Sequence, residues 1–227
     1  MNAPLRPVLP IDHVRVLISQ MSIADLMRGT HSDGYPDRIG YFQYTHTGRL
    51  FWSCDPRPEE VFIEDIATQL ARVPRFGGGC VRNVSVAEHS WIASFVGSEE
   101  EALERLLHDA PEAYIGDLIR PLKALPVYSD VYLRIEDGIM KAIAERYRLQ
   151  YPFPRSVKYA DEYVVGGEIA QNIDATEQSS QHIKDRAARI DGAGVRLYYW
   201  SADVAKHHFL QRFYELAEKR GLRGMAV

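Results

Sequence analysis

His108 and Asp109 are adjacent, and an imidazole beside a carboxylate can hold a metal ion or move a proton. On an ideal helix, neighbouring side chains diverge by about 100°. The pair therefore makes no site unaided, although side chains of different length can still reach one ion lying against the helix. Two further residues supply what the pair lacks. His89 lies in Ser85-Val86-Ala87-Glu88-His89-Ser90, on a preceding helix, and Asp161 lies in Val157-Lys158-Tyr159-Ala160-Asp161, on a later one. Three packed helices can present two imidazoles and two carboxylates to one point. Mixed nitrogen and oxygen donors suit a divalent transition metal such as manganese, cobalt, zinc or iron. Four protein ligands on an ion that accepts six leave room for water and a phosphate oxygen. No further His-His pair lies near His108-Asp109, so one ion is expected rather than two.

Longer blocks surround these residues: Arg75-Phe76, then Ser85 to Ser90, then His108-Asp109-Ala110-Pro111-Glu112-Ala113, then Gly116-Asp117-Leu118 and Pro121-Leu122-Lys123. Over roughly Ile63 to Glu168 the chain resembles the HD-domain phosphohydrolases, and most nearly the bacterial 5′-deoxynucleotidases and the related phage enzymes that hydrolyse dATP. The resemblance implies metal-dependent hydrolysis of a nucleotide 5′-phosphoester. The products would be deoxynucleoside and phosphate from a monophosphate, or deoxynucleoside and triphosphate from a triphosphate such as dATP. It also implies roles. His89, His108, Asp109 and Asp161 would bind the metal. Glu112 would handle the proton of the attacking water, and Asp117 would donate a proton to the leaving oxygen or hold the pocket by hydrogen bonds. Arg75 and Lys123 would meet the substrate phosphate. Phe76 would pack near the sugar and disfavour a ribose 2′-hydroxyl, at a position where the deoxynucleotidases carry tryptophan.

The same residues can be read without the family. Glu112 follows Asp109 by three positions, so a continuous helix would put both carboxylates on one side, while Pro111 between them should kink that helix. A guanidinium at position 75 offers forked donors that match phosphate oxygens. Trp91 and Tyr114 are aromatic candidates for stacking on a base, although such residues more often belong to a core. His13, His31, His46, His182, His207 and His208 need no functional role. Hydrolysis of another phosphoester, a cyclic nucleotide or an alarmone, is the enzymatic alternative. A nucleotide sensor without turnover is the other, and the complete set of ligands and carboxylates argues against it.

The expected scaffold is mainly α-helical: a single HD-domain helical bundle over residues 1–227, with its motif core at about 63–173. Residues 1–60 form an N-terminal helix and β-hairpin appendage, and 195–221 a C-terminal helical extension. Val14, Leu17, Ile18 and Met21 suggest a helix within 13–28. Tyr41, Phe42 and Tyr44, then His46-Thr47-Gly48, then Leu50, Phe51 and Trp52 read as two strands about a glycine turn. Ile63, Ile66, Ala67 and Leu70 repeat with helical period, and Pro74 ends that segment. Ser85 and Glu88 fit a capping box. Further helices are expected over 99–110, 132–147, 157–173 and 201–220, with Gly221 as the stop. The stretch from Asp174 to Gly194 reads as polar and irregular.

Composition sets outer limits. The 227 residues carry a net charge of −4 and a pI near 6.1, which does not favour nucleic acid as a partner. Hydrophobic residues make up 46% of the chain, an ordinary value for a soluble domain, with no apolar run approaching the roughly 20 residues of a membrane span. Cys54 and Cys80 stand apart and read as reduced thiols. A cytoplasmic homo-oligomer acting on a small nucleotide is the resulting expectation.

Overall fold

Helical periodicity in the sequence becomes a mainly helical architecture. The computed structural model describes residues 16–17, 19–32, 34–189 and 194–222. Positions 16, 17, 19 and 20 are helical, and the chain then breaks at Met21 and Ser22. His13, Val14 and Ile18, part of the expected first helix, lie outside the described residues. Helix α1 (Ile23–Leu26) starts afresh because Ser22 and Asp25 form a reciprocal capping box.

The aromatic segment folds as the expected hairpin. Strands β1 (Gln43–Tyr44) and β2 (Leu50–Phe51) pair antiparallel, Gln43 opposite Phe51 and Tyr44 opposite Leu50. Gly48, at φ 79°, supplies the left-handed turn residue. The hairpin is fastened to the helices. Phe51 is fully buried and stacks on Tyr114 at 3.7 Å, the Gln43 amide donates to the Tyr114 carbonyl, and the Thr47 amide donates to Asp65 at 2.7 Å.

The body follows as α2 (Ile63–Leu70), α3 (Val86–Ala93), α4 (Ala102–Leu106), α5 (Glu112–Ile115), α6 (Arg120–Lys123), α7 (Pro126–Tyr147), α8 (Arg155–Asn172), α9 (Ser180–Arg189) and α10 (Ala202–Lys219). Ile63, Ile66, Ala67 and Leu70 bury one face of α2, as their spacing requires. They join Leu103, Leu106, Ile143, Phe209 and Phe213 in one apolar cluster, so α10 closes the core that α2 and α4 begin. Helix α8 packs against α3 and α4. Among the described residues, no helix is long and apolar enough to cross a membrane.

Three expectations need correction. The stretch 174–194 is not wholly irregular. It contains α9, whose amphipathic face is too sparse in apolar residues to stand out in the sequence. The helix expected over 99–110 is broken: a 3-10 turn at Glu99–Glu101 leads into α4, which stops at Leu106. The capping box at Ser85 is only half formed. The Ser85 hydroxyl accepts from the Glu88 amide, but the Glu88 carboxylate turns inward to accept the backbone N–H groups of Tyr198, Tyr199 and Trp200 at 2.7–3.0 Å. That clasp binds the segment before α10 to the helix that carries His89. The same segment lies against α8 at Gly167, where a Cβ would sit 2.3 Å from that of Val195, so only glycine permits the approach.

Candidate active site

His89 reaches the site from α3 and Asp161 from α8, while His108 and Asp109 sit in the turn between α4 and α5. The broken helix resolves the angular problem of two adjacent ligands. Leu107 leaves helical geometry at ψ 9°, Ala110 donates to the Leu107 carbonyl and Glu112 to the Asp109 carbonyl. Pro111 then opens α5 as its N-cap residue rather than kinking a longer helix. In this turn both side chains face the same point. One ligand atom from each of His89, His108, Asp109 and Asp161 lies within 4.8 Å of the others. His89 Nε2 is 3.2 Å from Asp161 Oδ1, and His108 Nε2 is 3.2 Å from Asp109 Oδ2.

The far nitrogens fix how the rings point. His108 Nδ1 donates to the Arg105 carbonyl at 2.7 Å, and His89 Nδ1 donates to Glu168 Oε1 at 3.0 Å. Those bonds leave both Nε2 atoms as acceptors aimed into the cluster. Both are buried and neither has a hydrogen-bond partner. Buried polar atoms are almost always satisfied, and two unpartnered lone pairs facing two carboxylates fit a divalent cation. The charges agree. Burial opposes ionisation of Asp109 and Asp161, but the two imidazoles outweigh it and hold both carboxyls well below their usual range. Burial likewise opposes protonation of the rings, yet the neighbouring carboxylates raise both histidines, His108 most. Each ring therefore keeps its proton to higher pH than a free imidazole, and a cation at Nε2 would compete with that proton.

Arg75 lies beside the cluster on a short 3-10 segment, Arg75–Gly78. It is buried, with Nη1 3.5 Å from Asp109 and 3.9 Å from Asp117, and Nη2 3.3 Å from Glu168. Its neighbour Phe76 has φ 55°, a left-handed conformation costly for a bulky residue. Glu112, the first residue of α5, is 3% exposed. One of its oxygens lies 3.4 Å from Lys123 Nζ and the other is buried without a partner. Burial first, then Asp109 and Asp117, push its carboxyl well above the usual range. Asp117 is raised by burial and Asp109 against the pull of Arg75. Lys123 joins Glu112 to Glu136, 3.2 Å away on α7.

The structure thus gathers the four expected ligands with Arg75, Glu112, Asp117 and Lys123. It does not bring Trp91 to them. Two residues beyond His89, and so on the opposite side of α3, Trp91 packs on Phe95, Tyr198, Trp200 and His208. Tyr114 is likewise core, against Phe51. Sequence reasoning missed Glu136 and Glu168. Glu168 had a signal: it follows Asp161 by seven residues, two turns on one helix face. A cavity of about 540 Å³ opens from His108 and Asp161 along the start of α8, past Phe153, Arg155, Lys158 and Tyr159. That volume suits a small organic ligand.

The fold thus brings a histidine, a His-Asp pair and a later aspartate to one point, in the order expected from the sequence. The chain belongs to the same family as two bacterial proteins, each matched over most of its length. One is the uncharacterized protein YfdR of Escherichia coli K12, 31% identical over 185 residues, which span 79% of this chain and 97% of that one. The other is the uncharacterized protein RCAP_rcc00048 of Rhodobacter capsulatus, 32% identical over 185 residues, 73% of this chain and 93% of that one. No family model matches the chain. Among solved structures, the HD phosphohydrolase DatZ of cyanophage S-2L, bound to dA and one catalytic Zn2+ ion, is similar with a TM-score of 0.42 and 16% identity over 68% of this chain and 95% of that one.

Proposed function

We propose that the chain is a metal-dependent phosphohydrolase that cleaves the 5′-phosphoester of (deoxy)nucleotides. It would release deoxynucleoside and phosphate from a monophosphate, or deoxynucleoside and triphosphate from a dNTP. The observation that carries this reading is the pair of buried, unpartnered Nε2 atoms facing two carboxylates, with a buried arginine and the buried Glu112 carboxyl alongside.

His89, His108, Asp109 and Asp161 would hold one divalent transition ion. Bound there, the ion supplies Lewis acidity, polarising a phosphate oxygen and acidifying water. Arg75 Nη1, already turned toward Asp109, presents donors to phosphate oxygens at that point. Lys123 adds a second positive charge from the far side of Glu112. The buried Glu112 carboxylate accepts the proton of the attacking water, and Lys123 stabilises the ionised form it needs for that task. Asp117, whose carboxyl is also raised, can hold a proton for the leaving oxygen. Phe76 stands next to Arg75 where the sugar would lie, and a bulky ring there disfavours a 2′-hydroxyl.

The test is a panel of ribo- and deoxynucleotides at the mono-, di- and triphosphate level, assayed with Zn2+, Mn2+ and Co2+ and with products separated by chromatography. Metal-dependent release of deoxynucleoside, faster than from the matching ribonucleotides, is expected. Absence of release from every substrate under every metal would refute the assignment. Equal rates for dAMP and AMP, and for dATP and ATP, would remove the role given to Phe76.

A further inference from the structure

Glu168 is the most deeply placed ionised group near the site, fully buried, with its two oxygens divided between two partners. Oε1 accepts from His89 Nδ1 at 3.0 Å and Oε2 accepts from Arg75 Nη2 at 3.3 Å. Burial alone would keep this carboxyl neutral, and Arg75 and His89 hold it ionised. Its backbone has little freedom. Gly167 lies against Val195, and Asn172, one turn further on, binds the loop after Arg75 through its side chain and its carbonyl, at Arg82 and Val81. The carboxylate is therefore presented from a fixed helix face shared with Asp161.

We propose that Glu168 is a positioning residue that sets metal affinity and anion affinity together. It holds His89 in the tautomer whose Nε2 can ligate, and it holds Arg75 so that Nη1 faces the phosphate position. The inference rests on the reading that the four ligands hold a metal and that Arg75 meets phosphate. A histidine ligand loses on the order of 10–100-fold in metal affinity when the carboxylate behind it is removed. The guanidinium loses its orientation by the same change, because one side chain serves both.

The experiment is calorimetric titration of Zn2+ into metal-free protein, followed by titration of inorganic phosphate into the zinc-loaded protein, for wild type, Glu168→Gln and Arg75→Ala. Glu168→Gln keeps the size and packing of the side chain. Its expected result is a zinc Kd raised about 10–100-fold, with phosphate affinity also reduced when zinc is saturating. Arg75→Ala should reduce phosphate affinity without weakening zinc, since it removes a cation beside the ion. A zinc Kd for Glu168→Gln within twofold of wild type would overturn the proposal. So would a zinc loss with unchanged phosphate affinity, because the coupling would be absent. Should Glu168→Gln fail to fold, Glu168→Asp keeps the charge and shortens the reach, with the same expected losses. Failure of both to fold even in excess zinc would make Glu168 a scaffold residue only and end the proposal. Wild-type protein that binds no metal would instead refute the underlying reading.

Discussion

Glu88 and His89 are neighbours on α3, and both are fully buried, yet they end in opposite situations. Glu88 points toward the C-terminal segment and is saturated by three successive backbone N–H groups. Such a converging set of amides is an anion-binding concavity, and here the anion is part of the chain. His89 points toward the ligand cluster, satisfied at Nδ1 and left open at Nε2. One buried polar group has every valence filled by the protein; the other keeps one in reserve. Burial alone does not separate structure from function. What sets His89 apart is where its open Nε2 points, into a cluster of ligand atoms that His108 Nε2 also faces without a partner.

The sharpest way to break this comparison is to delete an open group. His108→Ala and Asp109→Ala should abolish both metal binding and hydrolysis, and full metal occupancy in either variant would remove the ligand assignment. Glu112→Ala comes next. It should keep metal and nucleotide affinity but lose on the order of 10²–10⁴ in turnover, and near-normal kcat would pass the proton-handling role to another group such as Asp117. In the wild type, activity should fall as pH drops through the raised value of Glu112, because the base form is then lost; Glu112→Gln should abolish that acidic limb.

Metal affinity carries a second pH dependence. Carboxylates raise both histidines, so each ring keeps its proton to higher pH than usual, and the cation must displace it. Affinity should weaken as pH falls, by about tenfold per unit for each proton released. A titration that is flat between pH 6 and 8 would contradict the ring environment described. The smallest effect on chemistry belongs to the saturated side. Glu88→Ala leaves three backbone donors unpaired, at roughly 1–3 kcal/mol each, so thermal stability should drop steeply. Zinc affinity of the protein that remains folded should stay unchanged. A loss of zinc affinity out of proportion to stability would show that Glu88 belongs with the site.

Much of the site was legible because its residue types are unusual together. Two histidines and two aspartates in a fixed order survive any uncertainty about where helices end, and the cluster forms although the helix expected to carry His108-Asp109 does not. The turn between α4 and α5 was hidden because Leu103, Leu106 and Leu107 keep a helical rhythm up to the point where the backbone departs from it. Glu136 was hidden for another reason. A single glutamate within a helix reads as solvent-facing, and only tertiary packing shows that it faces inward. Trp91 was misleading in the same way. Its place near His89 in sequence suggested the site, but two residues along a helix is the far side. The hairpin was readable because alternating aromatics around Gly48 leave few other conformations, while α9 lacks the apolar stripe that would have announced it.

The clasp at Glu88 joins residues 110 to 112 positions apart. During synthesis α3 emerges long before its partners, and neither Asp161 nor the amides of 198–200 exist while the ribosome is still translating the middle of the chain. Contacts of such long range form late, since the loop between them must close first. A growing chain therefore carries His89 and the His108-Asp109 turn before Asp161 is made, and the clasp that fixes α3 arrives later still, with the last quarter of the polypeptide.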